Sequence, residues 1–521
     1  MARPPRLMVA LRSGRVRTSQ RALVAQPLTD VASQDIGRSL KRGAVWAIGS
    51  QLVVQVVRLA GVVVLARLLT PADYGVAALA VTLASFSMTL GDFGFGTALV
   101  QAETASQRWA STAWWAALGA GAVGSGLAAL AAYPAALALG EPEVAPLLIA
   151  GGVTLLLVAL GSASNAFLTR SMSFGVIQGA TVTAALVAMA CAVGAAYLGA
   201  GAWALVLQQV VLAGTMSAFF IVTARWRPSL EFSRTAFRSL ARFAMPLTGA
   251  AVLFALQALV TALLVGSLVG IAALGIWNFS MAIVVLPAVL LSAPLARVIY
   301  AAFARMRGER ERVAEVWLNG LMLVAGVVLP VLIILIAIAP DLIPMAFGSK
   351  WRPAVPVVQI LAVFFMSRAL QMWNSSVMDA AGKPHVGMIL NALVLVALPP
   401  SIWLGSEFGV QGVAVAYSLA ALLFGEIPSF VLTTRELSLT QLSVLRRLRE
   451  IALSAVIAGV AVVCVRHLLE ADGIQLEPRI ALSVAAGAAF YVSSLALIAP
   501  AVARRLLGMV RGLGPAMRPQ G

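Results

Sequence analysis

Charge is scarce in this chain. Of its 521 residues 11% are Asp, Glu, Lys or Arg and 61% are hydrophobic, whereas about a quarter of a soluble protein is charged. A soluble fold is excluded at that composition. So is a large polar domain, because the longest polar stretch is the N-terminal segment 1–43. Cysteine and histidine number two each. Cys191 and Cys464 lie far apart in apolar stretches, which leaves a disulfide or a metal site without support. No GxxxxGK, HExxH or nucleophile elbow occurs, so neither ATP hydrolysis, covalent catalysis nor a cofactor is indicated. Acidic residues are outnumbered 20 to 37 by Lys and Arg. In a soluble protein a net charge of +17 would suggest nucleic acid. Here basic residues serve anchoring to anionic lipid and topology instead.

What the chain has is length in apolar runs. A helix needs roughly 20 mostly apolar residues to cross ~30 Å of hydrocarbon. Such runs recur over 44–68, 75–99, 110–133, 144–168, 176–198, 202–224, 242–267, 272–297, 316–339, 354–380, 385–406, 409–433, 449–468 and 480–501. Pro71, Pro142, Pro340 and Pro353 punctuate the connections. The fold class expected is an all-α integral membrane protein of about 14 spans. With the N-terminus inside, 30 of the 37 Lys and Arg residues fall on the inner side. Five (Arg67, Lys350, Arg352, Arg466 and Arg479) fall outside, and Arg58 and Arg368 lie within the membrane. One miscounted helix would transfer every later loop to the other side. The excess of inner positive charge therefore predicts both termini in the cytoplasm. Segment 1–43, with six arginines between Arg3 and Arg21 and no apolar core, reads as a basic, mostly disordered cytoplasmic tail, not a cleavable signal. Residues 502–521 form a second tail.

The chain also echoes itself. WAIGSQLVVQVVRLAGVVVLARLLTPADYGVAALAVTL from Trp46 parallels FAMPLTGAAVLFALQALVTALLVGSLVGIAALGIWNFSMAI from Phe243, with Gly75 against Gly275. LGAGAWALVLQQ from Leu198 parallels FGVQGVAVAYSL from Phe408. Both offsets lie near 200 residues. Two six-helix lobes in the same direction, 44–224 and 242–433, followed by helices 13 and 14 over 449–501, is the economical organisation. Such repeats enclose transport pathways in membrane carriers.

Function is then sought in polar groups placed in lipid. A charge at mid-bilayer costs at least ~2.5–3.5 kcal/mol and normally faces a bundle interior or water. Gln51, Gln55 and Arg58 share one face of helix 1; Arg368, Gln371 and Ser375 likewise share one face of helix 10. Arg297 ends helix 8. The functional reading is a set of guanidiniums that bind a phosphate-bearing headgroup, for which the arginine fork is suited. The plainer reading is that Arg58 or Arg368 neutralises Asp92, Asp379 or Glu426 and fixes helix packing. Those three carboxylates are also candidates to carry a coupling H⁺ or Na⁺. Glu426 is the best placed, two residues before Pro428, where backbone carbonyls are freed. Trp46, Trp114, Trp115, Trp351 and Trp403 read as an interfacial aromatic belt.

Several stretches resemble one family. LARLLTPADYGVAALA from Leu65 and GDFGFGTALVQ from Gly91, after Arg58, are similar to the opening of Wzx-type polysaccharide flippases. These belong to the multidrug/oligosaccharidyl-lipid/polysaccharide exporter superfamily. LTRSMSF from Leu168, PLARVIYAAFARMRGERER from Pro294, MAFGSKWRPAVPVVQILA from Met345 and AAGKPHVGMILN from Ala380 follow in order. The resemblance implies a bacterial inner-membrane transporter, not an enzyme. Its cargo would be a polyprenyl-pyrophosphate-linked glycan, its partners a polymerase and a chain-length regulator, and its driving ion H⁺ or Na⁺. Of the family's cationic cavity positions only Arg58 and, more loosely, Arg297 are matched. Two alternatives stand beside it. An ion-coupled exporter of drugs or small cations would need a cavity rich in carboxylates. A membrane glycosyltransferase or polymerase would need an outer loop longer than the roughly 14 residues near 340–353.

Overall fold

The computed structural model describes residues 53–90, 94–101, 106–287, 310–383 and 385–500, with Gly49, 502–504 and Gly508 besides. No strand occurs among the described residues. In chain order the helices are α1 (53–68), α2 (Pro71–Leu90), α3 (Gln107–Leu139), α4 (Val144–Arg170), α5 (Phe174–Tyr197), α6 (Trp203–Ala224) and α7 (Arg234–Leu268). Then come α8 (Ile271–Pro287), α9 (Arg310–Phe347), α10 (Ala354–Asp379), α11 (His385–Ser406), α12 (Gly409–Glu436), α13 (Gln441–Ala471) and α14 (Leu476–Ile498). Ten of them, α3–α6 and α9–α14, are long and apolar enough to cross a membrane. Gln51, Asp92, Arg297, Trp46 and the tail 1–43 lie outside the described residues.

Several helices depart from the apolar pattern, each for a local reason. Helix α2 stops at Leu90, and a short helix, Phe95–Gln101, follows Gly94, whose φ of 78° takes the chain out of helical geometry. Helix α7 begins at Arg234, earlier than its apolar run, because Ser233 caps it: Ser233 Oγ accepts from the amide of Ala236 at 3.3 Å. Helix α9 runs on to Phe347 through Pro330, Pro340 and Pro344, so Pro340 lies within a helix and not in a connection. The outer loop near 340–353 shrinks accordingly to the short turn after Phe347.

Proline inside a helix removes a donor and strands the carbonyl four residues back. In hydrocarbon such a carbonyl must be satisfied from elsewhere. Helix α9 obeys this rule at Pro330 and Pro340. Pro330 frees the Gly326 carbonyl, which accepts from Tyr491 of α14 at 2.6 Å. Pro340 frees the Ile336 carbonyl, which accepts from Gln359 Nε2 of α10 at 2.9 Å. The adjacent Ala337 carbonyl accepts from Arg466 Nη1 of α13 at 2.9 Å.

Helices α1–α6 are called the first lobe and α7–α12 the second. Within the first, α3 packs on α4, α5 on α6, and α4 on both α2 and α6. Within the second, α9 packs on α10, and α11 on α7 and α12. Helices α13 and α14 pair with each other and lie against α9. Between lipid-solvated helices the hydrophobic effect gives little, so close van der Waals approach must serve. Small residues provide it: a Cβ on Gly151 of α4 would press on Ala80 of α2, and one on Gly161 would press on Ser217 of α6. The lobes themselves meet where α7 contacts α2 and α3.

Candidate functional site

Helix α1 carries the first candidate. At 100° per residue, Val53, Val56, Ala60 and Arg67 form its exposed side, while Val54, Gln55, Gly61, Leu65 and Leu69 form its buried side. Arg58 falls in the middle of the buried arc, yet is exposed. The same arc is shut further along the helix, where Leu65, Ala66 and Leu69 are 2%, 0% and 2% accessible. It opens at Arg58 and Leu59. Arg58 is thus accessible on an arc that is closed further along the helix, and it has no ion-pair or hydrogen-bond partner among the described residues. Gln55, one turn away, is buried, and its Oε1 finds no partner among them either.

Helices α10 and α12 carry the second. Arg368 Nη1 donates to Glu426 Oε1 at 2.8 Å, and the Arg368 guanidinium carbon lies 5.6 Å from the Phe254 ring centroid of α7. The side chains differ in access, 42% for Arg368 and 10% for Glu426. Glu426 sits in a π-helical turn, Leu422–Glu426, immediately before Ile427–Pro428. The widened turn fits a proline whose missing donor has loosened the helix. Behind the pair lies a polar network. Gln371 Nε2 donates to Ser367 Oγ at 3.0 Å, and Asn374 Nδ2 donates to Gln371 Oε1 and to Ser429 Oγ at 3.2 and 3.1 Å. Trp317 Nε1 of α9 donates to Asn374 Oδ1 at 3.2 Å.

The structure therefore brings Arg368, Gln371 and Glu426 together. It does not join them to Arg58, which belongs to the other lobe, nor to Asp379, which is exposed further along α10. Of the two readings for Arg368, neutralisation of a carboxylate is the arrangement observed. Asn374, Trp317, Ser429 and Phe254 escaped the sequence reading. The first three are neutral residues whose contacts cross between helices, and nothing in their spacing announces them.

At one end the two lobes are locked together. The α1 carbonyls of Ala66 and Arg67 accept from Trp351 Nε1 and Lys350 Nζ of the second lobe at 2.8 and 2.9 Å. In return Arg67 donates to the Met345 and Ala346 carbonyls, in the last turn of α9, at 2.9 and 2.8 Å. Each lobe thus caps a helix C-terminus of the other, where orphan carbonyls attract cations. Burial lowers the Lys350 ammonium from its ordinary value, while Asp73 acts to raise it. Trp351 is wholly buried and stacks on Phe279 with centroids 3.9 Å apart, and Tyr74 meets its edge at 5.1 Å. It is a lobe-to-lobe plug, not a member of an interfacial belt. Trp114 and Trp115 are likewise half-buried, donating to the Leu160 and Ser229 carbonyls.

The contact is also reciprocal. A Cβ on Gly75 would strike the Ile271 carbonyl, and one on Gly275 would strike the Pro71 carbonyl. Residues 200 apart in the chain therefore touch each other's backbones across the interface. This is the signature of two like units meeting about a pseudo-two-fold axis. Charges read as lying on one side also find one another. Asp341 pairs with Arg479 at 3.1 Å and Arg466 at 3.7 Å, while Glu436 pairs with Lys383 at 2.6 Å and Arg310 at 3.6 Å at the opposite end.

Two groups of helices sealed at one end, with accessible guanidiniums set among apolar helices away from it, define a class of membrane transporter fold. The solved structure of the lipid II flippase MurJ in an inward closed conformation superposes with a TM-score of 0.68 at 13% identity, covering 87% of this chain and 98% of that one. Residues 64–356 match the family described as "Polysaccharide biosynthesis protein". The chain belongs to this family. The teichuronic acid biosynthesis protein TuaB of Bacillus subtilis (strain 168) is 24% identical over 91% of this chain and 98% of its own length. The lipopolysaccharide biosynthesis protein WzxC of Escherichia coli (strain K12) is 23% identical over 75% and 80%.

Proposed function

We propose that this protein is a flippase that carries a polyprenyl-pyrophosphate-linked oligosaccharide from the cytoplasmic to the outer leaflet of the bacterial inner membrane for assembly of a surface polysaccharide. Family membership, relatives named for teichuronic acid and lipopolysaccharide biosynthesis, and a fold shared with a lipid II flippase support the cargo class. The observation that carries the reading within this chain is Arg58: an exposed guanidinium in the buried arc of its helix, inward of a sealed lobe interface. The chain crosses fourteen times with both termini in the cytoplasm, so Arg58 meets cargo from the cytoplasmic side. Arg58 and Arg368 bind the pyrophosphate, Arg297 assists at the inner end, and Gln51 and Gln55 hold polar groups beside Arg58. Gln371 acts from behind, through its network. Asp92, Asp379 and Glu426 are the groups available to a coupling ion. A polymerase and chain-length regulator receive the product. A cation exporter would offer a free buried carboxylate, and Glu426 is instead held by Arg368.

Translocation is tested directly in proteoliposomes loaded with an undecaprenyl-pyrophosphate-linked trisaccharide. Cargo reaching the far leaflet is scored with a membrane-impermeant glycosidase. The full-length chain makes the glycan accessible in a time-dependent way, and Arg58→Ala does not. Translocation by the empty-liposome rate alone would refute the assignment.

A further inference from the structure

The Arg368–Glu426 pair has an unequal build. Its cation is reachable and its anion is not: the side chains are 42% and 10% accessible. An anion entering from the open side therefore meets the guanidinium first and never reaches the carboxylate. Arginine presents a planar fork, and a pyrophosphate oxygen pair competes for the same donors that now hold Glu426. When it wins, Glu426 is left as a carboxylate within the helix bundle without its partner. A desolvated, unpaired carboxylate is the species that binds a proton.

Among the described residues no other group offers Glu426 a replacement. Helix α10 contributes only Arg368 and, 11 residues on, Asp379; α11 has a single ionisable residue, His385, at its first position; α7 presents Phe254 and no charge beside Arg368. On α12 itself Tyr417 lies within electrostatic range of both members of the pair, while Arg435 and Glu436 are more than two turns away. Gly425 packs on Val394, so α11 closes the site with methyl groups.

We infer that Arg368 and Glu426 form an exchange site, in which the anionic pyrophosphate of the cargo takes the guanidinium from the carboxylate and the carboxylate takes up one proton from water. The balance is simple. One ion pair breaks, another forms, one proton adds to a Glu426 oxygen, and no electrons move. Leaving reverses it: the cargo departs, Arg368 returns to Glu426 and the proton is released. The inference rests on the cargo reading above and deepens it, because it ties cargo occupancy to proton occupancy at a named oxygen.

The experiment uses the full-length chain in nanodiscs and undecaprenyl pyrophosphate as the probe. Binding is measured from pH 6 to 8, together with proton uptake in weakly buffered solution with an indicator dye. The wild type should take up close to one proton more per bound probe than Glu426→Gln does. Its affinity should gain up to about tenfold per unit of falling pH relative to that variant. The comparison cancels the titration of the probe's own phosphates. Glu426→Gln should bind the probe at least as tightly as wild type at pH 8, because its Arg368 is already free. Arg368→Gln, with Glu426 protonated beforehand, should also lack the extra proton and bind more weakly, which guards against a folding defect in one variant. Probe binding with equal proton uptake in wild type and both variants would overturn the exchange and leave the cargo reading standing. Absence of probe binding by the wild type would overturn both.

Discussion

The two lobes hold their inward guanidiniums in opposite ways. In the second lobe Arg368 is bound to Glu426 and lies over Phe254. In the first, Arg58 has neither a carboxylate nor an aromatic face among the described residues, only the buried amide of Gln55 on the same stretch of helix. A mid-helix charge is expensive wherever it stands. The second lobe offsets that cost with its own anion, whereas among the described residues the first supplies none. Pseudo-symmetric backbones thus carry asymmetric chemistry. The glycine contact at the outer seal is reciprocal; the charges beneath it are not.

That contrast orders the expected effects of mutation. Arg58→Ala should cause the largest loss, abolishing polymer export in cells while leaving the protein inserted. Hydrogen bonds to charged groups are worth about 1.5–3 kcal/mol each, so losing one such bond weakens headgroup binding by roughly tenfold to a hundredfold. Arg58→Lys should restore only part of export, since an ammonium lacks the paired donors. Next in size is the seal. Gly275→Leu drives a side chain into the Pro71 carbonyl and should pry the outer ends apart. A cysteine placed at Ile271 would then react with an impermeant thiol reagent that leaves the parent protein unlabelled, scored with the two native cysteines replaced.

Arg368→Ala should be milder for cargo and worse for the fold. It strands Glu426 and should lower stability by about 1–3 kcal/mol, seen as earlier thermal unfolding in detergent. Arg368→Ala with Glu426→Gln should recover most of that, whereas an equal loss in both would show the pair to be idle. Arg67→Ala removes two cross-lobe hydrogen bonds from an exposed guanidinium, which solvent screening reduces to about 1 kcal/mol each. It should broaden the distance between spin labels on Leu69 and Ser349 without abolishing export. The smallest effect is that of pH on Lys350. Its ammonium is pushed below its ordinary value in the sealed state, so that state binds fewer protons than one with the lysine free. The seal should therefore tighten slightly as pH rises through the alkaline window below the ordinary lysine value, read by the same label pair.

Much of this was legible in the sequence. Apolar length located the helices, and the echo at an offset of 200 residues aligned Gly75 with Gly275 without showing that the two would meet. Arg58 and Arg368 stood out because charges inside apolar runs are rare. What stayed hidden was pairing. Sequence spacing says which residues share a helix face, not which face of another helix answers it, so Arg368 was open to either cargo or Glu426. Trp351 was misjudged for a related reason. A tryptophan near a helix end reads as interfacial unless one knows that the other lobe covers it. Pro340 misled as well, because the Gln359 amide that makes it tolerable lies 19 residues ahead in the chain.

Those prolines give α9 an unusual dependence. Its Gly326 carbonyl waits for Tyr491, on a helix synthesised more than a hundred residues later, and Arg466 adds a second tie at the Ala337 carbonyl. A ribosome that stalls after α12 releases a chain whose central helix carries a naked acceptor, the Gly326 carbonyl, in oil. The final hairpin is thus the fastener that lets an earlier, ill-suited segment remain in the bilayer, and losing it should condemn the whole chain to quality control.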